Sequence, residues 1–243
     1  MVIVTLSIIL LAFMNINASD IGVFYISLMI TIVAASFASS MAYMVIPSST
    51  NLLKDLSASS LRISLSLTAP VVVALLVIPG PILSLIGPDY ESAESILFVL
   101  AMAIIPSSIT INMISKLNNL NKHKFLILSG VVQIVTFLVC FYALVPLYSS
   151  MGAAISILIA YLCSSLLLIV VTDYKSLKYI IYASLSVLAG FFVGYIVGMI
   201  MGQEQPFLRM ISSVAMSALI IFASKNMTIK ETNILLKSIF QRS

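Results

Sequence analysis

Residues 66–117 read SLTAPVVVALLVIPGPILSLIGPDYESAESILFVLAMAIIPSSITINMISKL and contain two long apolar runs separated by a short acidic turn. A helix rises about 1.5 Å per residue, so each run is about long enough to cross a hydrocarbon core of about 30 Å. The stretch therefore predicts a membrane hairpin.

The turn of this hairpin carries residues that stop one helix and start another. Gly87 and Pro88 are predicted to end the first helix, and Asp89 to cap the second. Glu91 and Glu94 are then expected in the first turn of the second helix, where negative charge complements the helix dipole.

Prolines interrupt both arms of the hairpin, at Pro70, Pro79 and Pro81 in the first and at Pro106 in the second. A proline within the membrane frees a backbone carbonyl, which hydrocarbon cannot satisfy, so it is tolerated beside other helices or a polar cavity. We interpret Pro70, Pro79 and Pro106 as hinge or packing positions. Hinges facing a cavity favour a transporter, whereas prolines that only shape helix packing are the alternative.

The composition places the whole chain in a membrane. Of 243 residues, 61% are hydrophobic and 8% are charged, with a mean hydropathy of +1.20, whereas about 25% of a typical soluble domain is charged. The apolar runs are continuous, which indicates helices and excludes the alternating strands of a membrane barrel. Cys140 and Cys163 lie inside apolar runs and are predicted to be buried thiols without a disulfide or metal.

Eight hydrophobic segments are predicted along the chain. They are Val2 to Met14, Ile21 to Ile46, Leu61 to Ile86, Ser92 to Ser115, Phe125 to Pro146, Met151 to Thr172, Leu177 to Met201 and Phe207 to Ser224. The first would form only about 20 Å of helix, and no basic residue precedes it as in a signal peptide. We interpret it as a truncated membrane helix, which implies that the chain begins partway through a larger protein.

The basic residues alternate between connections. Connections after the second, fourth and sixth segments, together with the tail, hold eleven of the twelve basic residues; the exception is Arg209. The other connections hold Asp20, Asp89, Glu91, Glu94 and Glu204. Positive charge favours the cytoplasmic side, so both chain ends are predicted to be cytoplasmic in a multi-pass protein of the plasma membrane.

Two features of the C-terminal part concern packing and the membrane surface. Gly190, Gly194, Gly198 and Gly202 recur every fourth residue and are predicted to let another helix approach closely. After the last segment, apolar and basic residues alternate in the manner of a short interfacial helix on anionic lipid. We therefore divide the chain into a transmembrane helical domain, residues 1–224, and a cytoplasmic amphipathic tail, residues 225–243.

Residues with catalytic chemistry are scarce. His123 is the single histidine and lies between two lysines in a polar loop, where a solvated role is expected. We predict no catalytic residue, metal, cofactor or nucleic-acid partner, and membrane lipids as the contacts of the chain.

Polar residues inside the apolar runs are the better functional candidates, because they are costly in hydrocarbon and face a bundle interior or a wet cavity. Arg62, Asn112, Lys116 and Gln133 are the predicted substrate-binding residues. The cations at Arg62 and Lys116 suit an anionic group such as a phosphate. The alternative is that their side chains extend to lipid headgroups. Hydroxyls of the second segment are further candidates: Thr31, Ser36, Ser39 and Ser40.

Four motifs occur in order over residues 20 to 156. They are Asp20-Ile21-Gly22-Val23-Phe24-Tyr25 before a long helix, Ile46-Pro47 with Leu53 and Asp55, Ile86-Gly87-Pro88-Asp89-Tyr90-Glu91-Ser92-Ala93 with Ile96-Leu97, and Leu144-Val145-Pro146-Leu147-Tyr148 with Met151-Gly152-Ala153-Ala154-Ile155-Ser156. Together they resemble the second half of polysaccharide-biosynthesis flippases in the multidrug and toxin extrusion superfamily.

The resemblance implies an all-α membrane fold of about eight transmembrane helices, equivalent to helices seven to fourteen of a fourteen-helix flippase, plus the interfacial helix. It implies that the chain moves saccharides linked to a polyprenyl phosphate or diphosphate from the inner to the outer leaflet during cell-envelope polysaccharide assembly. A separately encoded N-terminal lobe is then an expected partner, because the family's first lobe is missing.

Three other functions are alternatives to the flippase. A drug/cation antiporter of the same superfamily is expected to carry an acidic residue deep in the membrane, and no Asp or Glu lies deep in any apolar run. A membrane scaffold for sugar-assembly enzymes is the alternative from a different class. An enzyme acting on lipid-linked sugars is disfavoured, because paired acids or histidines are lacking. The sugar, the lipid carrier and any coupling ion are not specified by the sequence.

Overall fold

The computed structural model describes residues 2–45, 53–172, 177–201 and 205–223. Within these ranges the chain is all-α, with eight α-helices, one 3₁₀ helix and no strand. The α-helices are α1 (Val2–Phe13), α2 (Ala18–Val45), α3 (Leu53–Val77), α4 (Pro79–Ser84), α5 (Glu94–Asn119), α6 (His123–Thr172), α7 (Leu177–Met201) and α8 (Pro206–Ala223). The predicted helical fold class is confirmed.

Several sequence predictions fall outside the described residues: the Ile46-Pro47 motif, Gly202, Glu204 and the tail 225–243. The side chains of Ser39, Ser40, Asp89 and Glu91 lie outside them as well.

The first arm of the hairpin is not one helix ending at Gly87, as predicted. Helix α3 begins at Leu53, earlier than the predicted Leu61, and ends at Val77. Ile78 then leaves the helical conformation (φ −132°, ψ 51°), and α4 starts at Pro79. A residue before proline is pushed out of the α region, and Pro79 suits a helix start because it has no N–H to donate.

The acidic turn also differs from the prediction. Residues Pro88–Ala93 form a 3₁₀ helix that contains Asp89 and Glu91. The N-cap of α5 is Ala93, without a side-chain capping bond, so the prediction that Asp89 caps this helix is wrong. Glu94 does lie in the first turn, as predicted. The 3₁₀ helix occupies the positions after Gly87, so α5 begins only at Glu94.

The predicted fifth and sixth segments form the single unit α6, which is broken at Ser149 (φ 47°, ψ −130°). Just after this break, Ser150 Oγ donates a hydrogen bond to the carbonyl of Asp20 at the start of α2, over 3.0 Å. At the end of α6, Thr172 Oγ1 contacts Met113 Sδ near the end of α5, over 3.2 Å. Since α6 also begins directly after α5, the chain reverses at Ser149 and α6 has two antiparallel arms.

Gly152 permits this tight reversal. A Cβ on Gly152 would lie 2.5 Å from the backbone oxygen of Leu144, at the end of the preceding arm. The two arms therefore approach more closely here than any side chain allows.

Five described helices are long and apolar enough to cross a membrane, and α6 is one of them. Each arm of α6 has roughly 25 residues, or about 37 Å of helix, so each is long enough to cross separately. The apolar stretches of α1, Ile3–Phe13, and of α3, Leu61–Val77, are shorter. The chain is a multi-pass membrane protein.

The helices pack around apolar clusters at different levels. One cluster joins α1, α2, α5 and both arms of α6 around Phe24, Phe137 and Phe141. Another joins α3, α5, the second arm of α6 and α7 around Leu61, Met113 and Leu117. These clusters fix which helix ends lie together, and so position the charged residues.

The two ends of the bundle differ in charge. We call one the basic end: it holds Arg62 of α3, Lys116 of α5 and Lys178 of α7, together with Lys122 in the turn after α5 and Lys124 at the start of α6. The other, called the acidic end, holds Asp20 and Glu94 with Arg209 at the start of α8.

Candidate functional site

Arg62 lies nine residues into α3 at the basic end, half-buried against α7. Its Cζ atom lies 5.9 Å from the centre of the Tyr179 ring, and Lys178 Nζ lies 4.8 Å from the same ring. Both are cation–π distances. An aromatic ring thus holds two cations together at this end of the bundle.

Asn112 lies close to Arg62 in the fold, at the buried interface between α3 and α5. Its Nδ2 group donates to Ser64 Oγ over 3.1 Å and to the Ser108 carbonyl over 2.8 Å. Thr68 Oγ1 donates in turn to the Ser64 carbonyl over 2.7 Å. We call these four residues the polar layer; hydrogen bonding makes their burial between apolar helices tolerable.

Lys116 follows Asn112 by one turn of α5 and is half-buried. The neighbouring Leu117 packs in the same apolar cluster as Leu61, which precedes Arg62. The structure therefore brings Arg62, Asn112 and Lys116 to one end of the α3–α5 interface.

Gln133 is placed on a different helix, the first arm of α6, where it is half-buried. One turn later, Phe137 enters the cluster of α1, α2, α5 and α6, and not the cluster around Leu61. Gln133 thus belongs to a different packing region from Arg62.

The hydroxyls predicted on the second segment bond mainly to their own helix. Thr31 Oγ1 donates to the Ser27 carbonyl over 2.8 Å, and the exposed Ser36 donates to the Val33 carbonyl over 2.6 Å. Such back-bonding satisfies a hydroxyl locally in an apolar helix.

The predicted hinge prolines occupy three different settings. Pro70 lies within α3, Pro79 begins α4, and the buried Pro106 lies within α5. Around Pro106, Ser107 and Ser108 donate to the Ile104 carbonyl, each over 2.8 Å. Both bonds end at Ile104, whereas the carbonyl that loses its helix hydrogen bond to Pro106 is that of Met102, four residues before the proline.

The glycines of α7 face α8 and α3. A Cβ on Gly190 would lie 2.9 Å from the Ser213 backbone oxygen, and one on Gly194 would lie 2.9 Å from Val77 Cγ1. A Cβ on Gly198 would lie 2.8 Å from Arg209 Nε. All three positions are thus close approaches between helices.

Arg209 and the cavity beside it were missed as candidates from the sequence. A cavity of about 380 Å³ opens at the acidic end between α3, α4, α5, the α6 turn, α7 and α8. Arg209 and Glu94 line it together with Ser95 and Tyr195. The one sequence signal was that Arg209 is the single cation near the acidic connections.

Among the described residues, no group of three or more His, Cys, Asp or Glu side chains could hold a metal ion. Cys140 and Cys163 are free and half-buried, a little more accessible than predicted. The chemistry offered by these sites is the binding of charged and polar groups.

Comparison with solved structures identified a similar fold. It is that of a lipid II flippase. The structure, described as Lipid II flippase MurJ in an inward closed conformation, matches with a TM-score of 0.67 and 17% sequence identity. The match covers 91% of this chain and 50% of the MurJ chain, so this chain spans about half the length of that protein.

No protein-family model matches the chain. No curated protein matches it either. The likeness to MurJ establishes a flippase-type fold, in agreement with the predicted all-α membrane architecture. Membership of the polysaccharide-biosynthesis family stays a prediction.

Proposed function

We propose that the chain acts as half of a flippase that moves a lipid-linked saccharide from the inner to the outer leaflet of the plasma membrane. The observation that carries the proposal is the shared fold with the MurJ lipid II flippase over 91% of the chain. The chain would form the C-terminal half and work with a separately encoded N-terminal lobe. Its basic end would face the cytoplasm, as would both chain ends, with residues 225–243 on the membrane surface.

Two cations of the basic end, Arg62 and Lys116, would supply the chemistry for the phosphate of such a substrate. Arg62 Cζ lies 5.9 Å from the centre of the Tyr179 ring, and a guanidinium binds a phosphate through the N–H groups along its edge. Lys116 lies at the same level on α5. We infer that both cations draw the lipid phosphate to the inner mouth.

The sugar would meet the polar layer next. Asn112 and the nearby hydroxyls are buried and bonded to one another here, so they would bind a saccharide only after α3 and α5 separate, with Gln133 on α6 as a further candidate. Pro106 lies one turn and a half before Asn112 on α5, where a missing helix hydrogen bond would permit bending as the cavity changes sides.

The placement of acids disfavours the antiporter. In the described helices the acidic residues lie at helix starts, as Asp20 does in α2 and Glu94 in α5. An ion-coupling carboxylate is expected deeper in the membrane.

Reconstitution tests the proposal. The chain is placed in vesicles, alone and with a six-helix N-terminal lobe, and transfer of a fluorescent polyprenyl-diphosphate oligosaccharide between leaflets is followed by its accessibility to an impermeant quencher. Arg62→Gln and Lys116→Gln each remove a charge-assisted bond of about 1.5–3 kcal/mol, so transfer is expected to fall about 10-fold or more.

Lys122→Gln is the matched control, because it removes the same charge from an exposed residue in the turn after α5. Its transfer rate should equal that of the unchanged chain. Absence of transfer in both preparations would contradict the flippase and favour the scaffold for sugar-assembly enzymes.

A further inference from the structure

The cavity at the acidic end has the size and lining of a ligand site. Its volume of about 380 Å³ lies within the range of small-molecule pockets. Phe98 and Phe191 form part of its wall, in an edge-to-face arrangement with ring centres 5.9 Å apart. This wall suits an apolar chain.

Two opposite charges face the same cavity. Glu94 is exposed at its rim on α5, and Arg209 is half-buried on α8. In the described part of the chain, Arg209 Nε is shielded from solvent and has no hydrogen-bond partner. Because Nε packs against Gly198 of α7, a ligand in the cavity would accept a hydrogen bond from the other N–H groups of Arg209, which lines the cavity.

Gly198 positions this guanidinium. The absent Cβ leaves room for Arg209 Nε and Cζ directly against α7, 2.8 and 2.9 Å from where a Cβ would lie. Ser212 Oγ and Ser213 Oγ both donate a hydrogen bond to the Arg209 carbonyl, over 3.0 Å and 2.6 Å respectively. These two bonds lie within α8, and the close approach at Gly198 is what sets the cation against α7 beside the cavity.

We propose that this cavity binds the headgroup of a zwitterionic aminophospholipid. Its phosphate lies against Arg209, its primary ammonium lies against Glu94, and the start of an acyl chain packs along Phe98 and Phe191. A purely anionic headgroup would meet the Glu94 carboxylate, and a purely cationic ligand would meet Arg209. A quaternary ammonium has no N–H to donate, so a choline headgroup forms a weaker contact with Glu94.

Co-purification of lipid tests this site without any transport measurement. The full chain is reconstituted into nanodiscs containing equal amounts of phosphatidylethanolamine, phosphatidylglycerol and phosphatidylcholine with identical acyl chains. It is then extracted into detergent, and the retained lipids are quantified by mass spectrometry. The unchanged chain should retain phosphatidylethanolamine about tenfold over either other lipid, as expected for a charge-assisted bond.

Variants assign the two contacts. Glu94→Gln, at an exposed position, should abolish the preference for phosphatidylethanolamine over phosphatidylglycerol. Arg209→Gln should reduce retention of all three lipids. Arg209→Lys keeps the positive charge and should retain more lipid than Arg209→Gln. Lys122→Gln, at the opposite end, should retain lipid like the unchanged chain.

Equal retention of the three lipids by the unchanged chain would overturn the proposal. A preference that survives both Glu94→Gln and Arg209→Gln would overturn it as well, because the lipid would then bind elsewhere. Neither result depends on whether the chain moves a saccharide lipid.

Discussion

The glycines of α7 differ in the atoms that an added side chain would meet. Gly190 faces backbone, the Ser213 carbonyl oxygen, whereas Gly198 faces the end of the flexible Arg209 side chain. Backbone cannot move without shifting a helix, but a long side chain can rotate away. Regular spacing in the sequence cannot show this difference.

Replacement of Gly190 is therefore expected to be the more damaging. Gly190→Ala should lower the stability of the folded bundle by about 1–3 kcal/mol through overpacking, seen as a lower unfolding temperature in detergent micelles. Gly198→Ala should cost less, because Arg209 can move.

Gly130→Ala is the matched control for this comparison. Nothing lies within 4 Å of a Cβ at Gly130, in the first arm of α6. The substitution should leave the unfolding temperature unchanged or raise it, since Ala is about 0.5–1 kcal/mol better than Gly in a helix. Equal losses in Gly190→Ala and Gly130→Ala would contradict the close approach of α7 and α8.

At the scale of elements, the helices were predictable and their interruptions were not. Most apolar segments agree with a helix or an α6 arm, because long apolar runs have one stable form in a bilayer. The break at Ile78 was missed because Pro79 was interpreted as an interruption inside one helix. The Asp89 cap was wrong because a polar residue before an apolar run does not reveal how the intervening turn is wound.

The reversal of α6 provides a test at this scale. Ser149 is exposed and has φ 47°, a value that glycine adopts more readily than serine. Ser149→Gly should therefore raise the unfolding temperature, by relieving strain of about 1–3 kcal/mol.

Ser149→Pro is the opposite variant, because proline fixes φ near −65° and cannot form this turn. It should lower the unfolding temperature, while Ser149→Ala should resemble the unchanged chain because both residues carry a Cβ. A lower unfolding temperature for Ser149→Gly would contradict the conformation at this turn.

At the scale of the whole molecule, the candidate sites show what charge patterning can and cannot predict. The alternation of basic residues correctly grouped Arg62 with Lys116, since both belong to connections of the same sign. It did not reveal that Glu94 and Arg209 line one cavity, because they belong to helices far apart in the sequence. Only the packing of α8 beside α7 and α3 brings them together.

The orientation of the bundle in the membrane can be tested by labelling. With positive charge retained inside, the basic end should be cytoplasmic and the acidic end outside. In a background carrying Cys140→Ser and Cys163→Ser, single cysteines are introduced at Lys122 and at Leu85, which is 79% exposed after α4. An impermeant maleimide applied to intact cells should label Leu85→Cys and leave Lys122→Cys unlabelled until the cells are opened. The reverse pattern would place Arg62 and Lys116 at the outer mouth, where they could not receive a substrate made in the cytoplasm. Transfer from the inner to the outer leaflet would then have to begin at the cavity of Arg209 and Glu94.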